Sequence, residues 1–253
     1  MGPPATMPPN TVLPPSPAIP PNYGDPPTVD ADSACPTCSR TLDFQGCTWA
    51  YLQFPGSMEA IQQHLPAEFE SVGPMPLVDI DPYVCGTVVV NGSQTIENVR
   101  MLQLVVAVTV PEAADAGTAN LYVLEWLTDN IALALTLQSW GLSVTHASLD
   151  FAFAQPVATF TAHGRSAYEI VSGDIASADQ NSRSWKGRFH TGGIEPVWLD
   201  SAAEFDQRAL GAQPVATKLS PLAASIIVGG DAGGGGIGAY NQGRFAIKVG
   251  DAP

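Results

Sequence analysis

Positive charge is scarce in this chain. Ten Lys+Arg face 24 Asp+Glu among 253 residues, a formal net charge of −14. Without a basic run to track a phosphate backbone, the composition argues against nucleic acid, and its sign disfavours anionic membrane surfaces. Lysine is rarest of all, with only Lys186, Lys218 and Lys248. Charged residues of both signs make up 13%, so the acidity serves first to keep a charge-poor surface soluble. Long apolar runs are missing too. None approaches the ~18 residues of a spanning helix, and the longest, residues 101–110 and 121–127, are strand-sized. No membrane insertion is expected.

Metal-ligand spacing is likewise lacking. His64, His146, His163 and His190 show neither H-x-H nor H-x-x-x-H, so no metal and no cofactor are expected. No G-x-S-x-G elbow occurs, which argues against an α/β-hydrolase. The glycine-rich run at residues 229–238 lacks the lysine and the following helix of a phosphate loop, and reads as a connection between strands. His146, Ser148 and Asp150 would share one strand face. A triad from a single strand has poor geometry, so they read as a polar stripe.

Cysteine is limited to Cys35, Cys38, Cys47 and Cys85. Cys35 and Cys38 form a CxxC, but the motif follows a proline-rich leader rather than a strand, and the other two lack zinc-knuckle spacing. Two disulfides stapling the N-terminal segment to the domain are the favoured reading, with the connectivity open. They imply an oxidising compartment, hence an exported protein, periplasmic or extracellular. Asn91-Gly92-Ser93 matches a glycosylation sequon, a short and weakly informative pattern.

Proline and glycine are abundant, at 23 and 24 residues. Eleven of the first 27 residues are proline. Each fixes φ and removes a donor, so residues 1–34 read as an extended leader resembling the linker of an exported protein. No basic segment followed by an apolar one marks a secretory signal there. Residues 35–253 then read as a single domain.

Within it, strands are expected at residues 48–54, 77–80, 86–91, 100–110, 120–127, 144–153, 157–162, 167–171, 184–190, 225–228 and 244–249. Turn signals separate them, including Asp81-Pro82 and Asn91-Gly92. Ser57 caps a short helix to about His64, supported by Glu59. Thr128 and Asp129 cap a second over residues 130–139, apolar on every side and therefore expected to be buried, with Gly141 as its left-handed stop. Hydrophobic residues at 45% suffice for a full core. The fold class is α+β, mainly β: an antiparallel barrel or sandwich with two or three helices.

Several of these segments in order resemble the acetoacetate decarboxylase family. They are Leu65-Pro66-Ala67-Glu68-Phe69-Glu70, the strand at 102–108, the strand at 121–127, the helix at 130–139 and Trp140-Gly141-Leu142-Ser143-Val144-Thr145, with Phe151 closing the next strand. The match spans roughly residues 48–160 and implies the antiparallel β-barrel or cone of that family. The resemblance sets Val144 where the family carries its Schiff-base lysine and Gln103 where it carries a glutamate. Neither side chain can perform the family's amine or general-base chemistry. What the resemblance leaves is a lumen near Arg100, Gln103, Trp126, Trp140, Val144 and His146.

Three functions follow as expectations. The first is a non-decarboxylating protein that binds a small apolar or keto compound in the lumen. The second is an enzyme of altered chemistry (hydration, dehydration or aldol type) using Arg100, Gln103 or His146. The third is a structural or assembly protein with a filled lumen. A large cavity favours the first two, and a lumen plugged by Trp and Leu the third. Long strand edges would allow a homo-oligomer.

Overall fold

The computed structural model describes residues 40–110, 118–151, 153, 159–163, 168–171, 181–192, 197–210, 214–229 and 237–250. Residues 39–253 make one compact unit, to which all of these belong. The leader, with Cys35 and Cys38, lies outside the described residues.

Seven long strands close into a barrel. They are β1 (Arg40–Pro55), β3 (Leu77–Val90), β4 (Gln94–Thr109), β5 (Ala119–Thr128), β10 (Asn181–Thr191), β11 (Val197–Ala209) and β13 (Ile237–Gly250). Around the ring the order is β4-β3-β1-β13-β11-β10-β5, and β5 pairs back onto β4. Closure removes the free edges that an open sheet would expose. Short strands β2 (Glu70–Ser71) and β6 (Thr145–His146) pair with β4 and β5. The barrel is mixed rather than wholly antiparallel, because β5 runs parallel to β10 and to β6. A second sheet, of order β12-β9-β8-β7, takes β7 (Ser148–Phe151), β8 (Thr159–His163) and β9 (Glu169–Val171) from the chain between β5 and β10, and β12 (Val215–Lys218) from after β11. That crossover length is what a parallel pairing requires.

A row of irregular residues crosses three strands. Gly46 (φ 59°) on β1, Gly86 on β3 and Asn98 (φ 55°) on β4 lie side by side. On one side of the row the buried residues are even-numbered, as in Leu42, Phe44, Val88, Val90 and Ile96. On the other side Cys47, Trp49, Tyr83, Cys85, Val99 and Met101 belong to the same buried cluster. One irregular residue per strand thus flips the side-chain phase so that both halves point inward. Cys47 and Cys85, paired across β1 and β3, form a disulfide beside this row. Removing it with Cys47→Ala/Cys85→Ala is expected to cost about 2–4 kcal/mol in urea unfolding, as the bridge closes a chain segment of 38 residues in the unfolded state.

The opposite faces of β1, β3 and β4, carrying Leu52, Phe54, Ile80, Leu102 and Leu104, pack in a second cluster with Tyr168, Ile170 and the helices α1 (Met58–Gln62) and α3 (Pro221–Ile226). Ser57 caps α1, its hydroxyl accepting from the Ala60 N–H at 3.3 Å. Ser220 caps α3, whose first residue is Pro221, and its hydroxyl also meets Tyr168 Oη at 2.9 Å. Tyr168 in turn donates to Glu125 on β5 at 2.5 Å, tying the second sheet to the barrel.

Several expected boundaries moved. Asp81-Pro82 is no turn, since β3 runs through it and the two strands read there are one. Residues 225–228 are not a strand. The Ser220 cap and Pro221 start a helix that consumes Ile226, and only Ile227 makes a bridge, to Gly56. The strand read at 144–153 is two short ones, β6 and β7. Strand β11 carried a weak sequence signal because its inward face holds Ser201, Ala203 and Gln207, which are not strand formers, with only Phe205 among them.

Helix α2 (Ile131–Ser139) stands where it was read, but Asn130 is its cap, accepting from the Leu133 N–H at 3.1 Å. Thr128 instead donates to the Arg100 carbonyl, and Asp129 pairs with Arg100. The helix buries one face, Leu133, Ala134 and Leu137, and leaves Ile131 and Leu135 exposed. A uniformly apolar helix carries no record of which face meets the barrel, so full burial did not follow from the pattern. Gly141 does take the left-handed geometry (φ 87°) that stops it.

Candidate functional site in the barrel lumen

Alternation along the strands decides what the lumen sees. β1 turns Trp49, Tyr51 and Gln53 inward, β3 contributes Leu77, Asp79, Asp81 and Tyr83, and β4 Gln103 and Ala107. β11 adds Ser201, Ala203, Phe205 and Gln207, and β13 adds Asn241, Phe245 and Ile247. Together with Trp185 and Phe189 of β10 they enclose a cavity of about 590 Å³. That is the size of an ordinary small-molecule site. Val72, Met75 and Leu77 line it while remaining 46%, 66% and 39% exposed, which marks them as its lip.

Half of the wall is an aromatic cage. Trp49 lies 6.1 Å from Tyr83, 5.1 Å from Phe205 and 5.9 Å from Phe245, and Tyr83 lies 5.4 Å from Phe245. Trp49 meets Phe205 and Phe245 edge-on, Tyr83 and Phe245 are tilted, and Trp49 and Tyr83 lie nearly parallel, all arrangements that aromatic quadrupoles favour over a face-to-face sandwich. The polar wall is a short network. Gln53 Nε2 donates to Tyr51 Oη at 2.6 Å and to Asp79 Oδ1 at 3.0 Å. On the neighbouring strands β13 and β11, Gln207 Nε2 donates to Asn241 Oδ1 at 3.2 Å.

Asp79 and Asp81 dominate the electrostatics. They sit two residues apart on one face of β3 and are 4% and 6% exposed. Burial pushes the Asp79 carboxyl up to about 7, against opposing hydrogen bonds from Gln53 and Tyr51. Asp81 stands well above the usual carboxylate range, first by burial and then by the neighbouring Asp79 charge, with a backbone hydrogen bond from Leu52 opposing. Its Oδ1 finds no hydrogen-bond partner among the described residues. The β1–β3 ladder skips the pairs opposite Asp81 and Pro82, as expected where Pro82 has no N–H to contribute. The Tyr83 and Tyr51 hydroxyls are raised as well, chiefly by burial and then by these carboxylates.

Of the residues expected at the lumen from sequence, Gln103 lines it, opposite Asp81 on β3. The other five lie elsewhere. Arg100 pairs with Asp129 at 3.0 Å on the surface. His146 is exposed and within 3.2 Å of the Asp129 carbonyl, and with exposed Ser148 and Asp150 it forms an outward polar stripe. Trp126 and Val144 are buried with the inner face of α2 and Leu142, and Trp140 packs against that cluster half-buried. The Val144 carbonyl accepts from Gln138 Nε2 at 2.7 Å. Trp126 Nε1 has no partner among the described residues. Losing an unsatisfied indole N–H offsets lost packing, so Trp126→Phe is expected within about 1 kcal/mol of wild type, against about 3–5 kcal/mol lost in Trp126→Ala, by chemical unfolding.

Asp79 and Asp81 were missed. The available signal was their period-two spacing around Ile80 in an apolar stretch, which places two carboxyls on one strand face.

The barrel geometry matches solved structures. Enduracididine biosynthesis enzyme MppR with HEPES bound superposes with a TM-score of 0.53 at 8% identity, over 84% of this chain and 86% of that one. A structure described as acetoacetate decarboxylase superposes with a TM-score of 0.53 at 13% identity, over 81% and 87%. The fold is that of acetoacetate decarboxylase. MppR complexed with the condensation product of pyruvate and imidazole 4-carboxaldehyde matches equally, at 0.53 and 8% identity, over 83% and 87%. No protein-family model matches the chain, and no curated protein sequence does. At such identities the likeness is one of architecture, and side-chain chemistry on the acetoacetate decarboxylase fold has to be argued residue by residue.

Proposed function

We propose that this protein uses the acetoacetate decarboxylase fold to bind a small, largely apolar compound in its lumen, without Schiff-base decarboxylation. The observation that carries this is a lumen of about 590 Å³, walled by aromatic rings, into which no amine projects. All three lysines are exposed: Lys186 on β10, Lys218 on β12 and Lys248 on β13. An iminium cannot form without an amine, so the family's electron sink has no residue to build it. A cavity of this size also speaks against a filled-lumen scaffold. The placement of Arg100 and His146 outside it speaks against an enzyme built on those two. An uncharged ketone fits as well as a hydrocarbon, since its oxygen can accept from Gln103, Asn241 or a tyrosine hydroxyl. The Cys47–Cys85 disulfide is what an exported protein would carry.

Trp49 and Trp185 line the cavity and serve as built-in reporters. Titration with 2-heptanone and with toluene is expected to change their fluorescence saturably, while borohydride in the presence of acetoacetate traps no adduct. Silence toward every apolar probe, or a trapped protein adduct, would overturn the reading.

A further inference from the structure

Resting on lumenal binding, we infer that the natural ligand carries a cationic amine, held by Asp81 and Asp79 and capped by the aromatic cage. Four observations converge. First, among the described residues the lining holds two carboxyl groups and neither lysine nor arginine. An anionic keto acid would find no counter-charge there, and its burial beside two carboxyls is strongly opposed. Second, Asp81 is 6% exposed, lines the cavity and leaves Oδ1 without a partner among the described residues. A buried acceptor with a missing donor costs stability that an N–H group of a ligand restores. Third, Trp49, Tyr83, Phe205 and Phe245 all line the same cavity, and Tyr83 is two residues from Asp81 on the same strand face. Ring faces beside carboxylates form the combination that recognises ammonium groups. Fourth, the net charge of −14 draws cations toward the molecule at long range.

The chemistry at the site is ionic, with no covalent step. An incoming R–NH3+ donates to the Asp81 and Asp79 carboxyls while its apolar chain lies toward Leu77, Met75 and Val72 at the lip. Among the described lining residues the titratable groups are Tyr51, Asp79, Asp81 and Tyr83. A carboxyl that holds a proton in the empty lumen releases it to bind the cation, so amine affinity should rise with pH while that of a neutral ligand stays level.

Hexylamine, 1-hexanol and hexanoate, matched in chain length, separate the possibilities by calorimetric titration of the full chain. Hexylammonium at pH 8 is expected to bind at least about tenfold more tightly than 1-hexanol, with hexanoate weakest, and to weaken toward pH 5. Asp81→Asn, with folding checked by circular dichroism, should remove that advantage and leave 1-hexanol binding within about threefold. Asp79→Asn provides the same test if Asp81→Asn does not fold. Equal affinity for amine and alcohol, or equal losses of both in the variants, would overturn the amine inference and leave lumenal binding standing. If none of the three probes, 2-heptanone or toluene binds, the lumenal reading fails and takes the inference with it.

Discussion

Ala203→Trp is expected to abolish lumenal binding while leaving the barrel folded. Ala203 lies on β11 between Trp185 of β10 and Phe245 of β13, and all three face the cavity. An indole added there projects into about 590 Å³ of space rather than into packed neighbours, so the overpacking that normally accompanies such a change is small. The added ring takes up lumenal volume beside Trp185 and Phe245 that a ligand needs. Affinity for 2-heptanone or hexylamine should fall at least about a hundredfold, while Tm changes by only a few degrees. The outward-facing Ala202→Trp on the same strand is the control and should bind normally. Loss of binding in both variants, or in neither, would place the site elsewhere.

The second expected result concerns pH. A carboxyl whose folded-state pKa is raised holds its proton in the folded chain after the unfolded chain has released it. Its contribution is therefore greatest below the unfolded value near 4, and declines as pH rises through the folded value. For Asp79 the window runs from 3.8 to about 7. Asp81, shifted in the same direction, extends the decline. His190 acts oppositely. Burial, then the Arg188 charge, lowers its pKa from 6.5 to about 4, so it adds stability as pH rises across that interval. Wild type alone would mix the two, and the variant difference separates them. Asp79→Asn should unfold at nearly the wild-type temperature at pH 4. By pH 8 it should be more stable by roughly 4 kcal/mol, on the order of 10 °C in Tm. A gain that does not grow with pH would show that Asp79 ionises as an ordinary carboxylate.

These tests bear on how far the residues could be read before folding. The β-rich class, the Ser57 cap, the Gly141 stop and the α2 segment were legible because each depends on a few consecutive residues. Gln103 was the one lumen residue recognised, and only through a family resemblance. Asp79 and Asp81 were hidden behind Pro82. Asp-Pro is a turn signal where a chain is free to turn, and here flanking strands β1 and β4 hold it extended. Strand β11 was hidden for the converse reason. A face that looks into a cavity need not be filled with large apolar residues, so Ser201, Ala203 and Gln207 around Phe205 left only a weak periodic signal.

By itself the sequence determined the charge deficit, the want of an amine nucleophile outside three lysines, and the local caps and stops, because these depend on composition or on neighbours within one turn. Tertiary structure decided which strand faces point inward, that residues 26 positions apart such as Gln53 and Asp79 share a hydrogen bond, and that two carboxyls meet in a closed space. The physical reason is that barrel closure and the phase flip at Gly46, Gly86 and Asn98 are properties of paired strands. A side chain's chemistry in the lumen, a raised carboxyl pKa above all, arises only once closure has taken its water away.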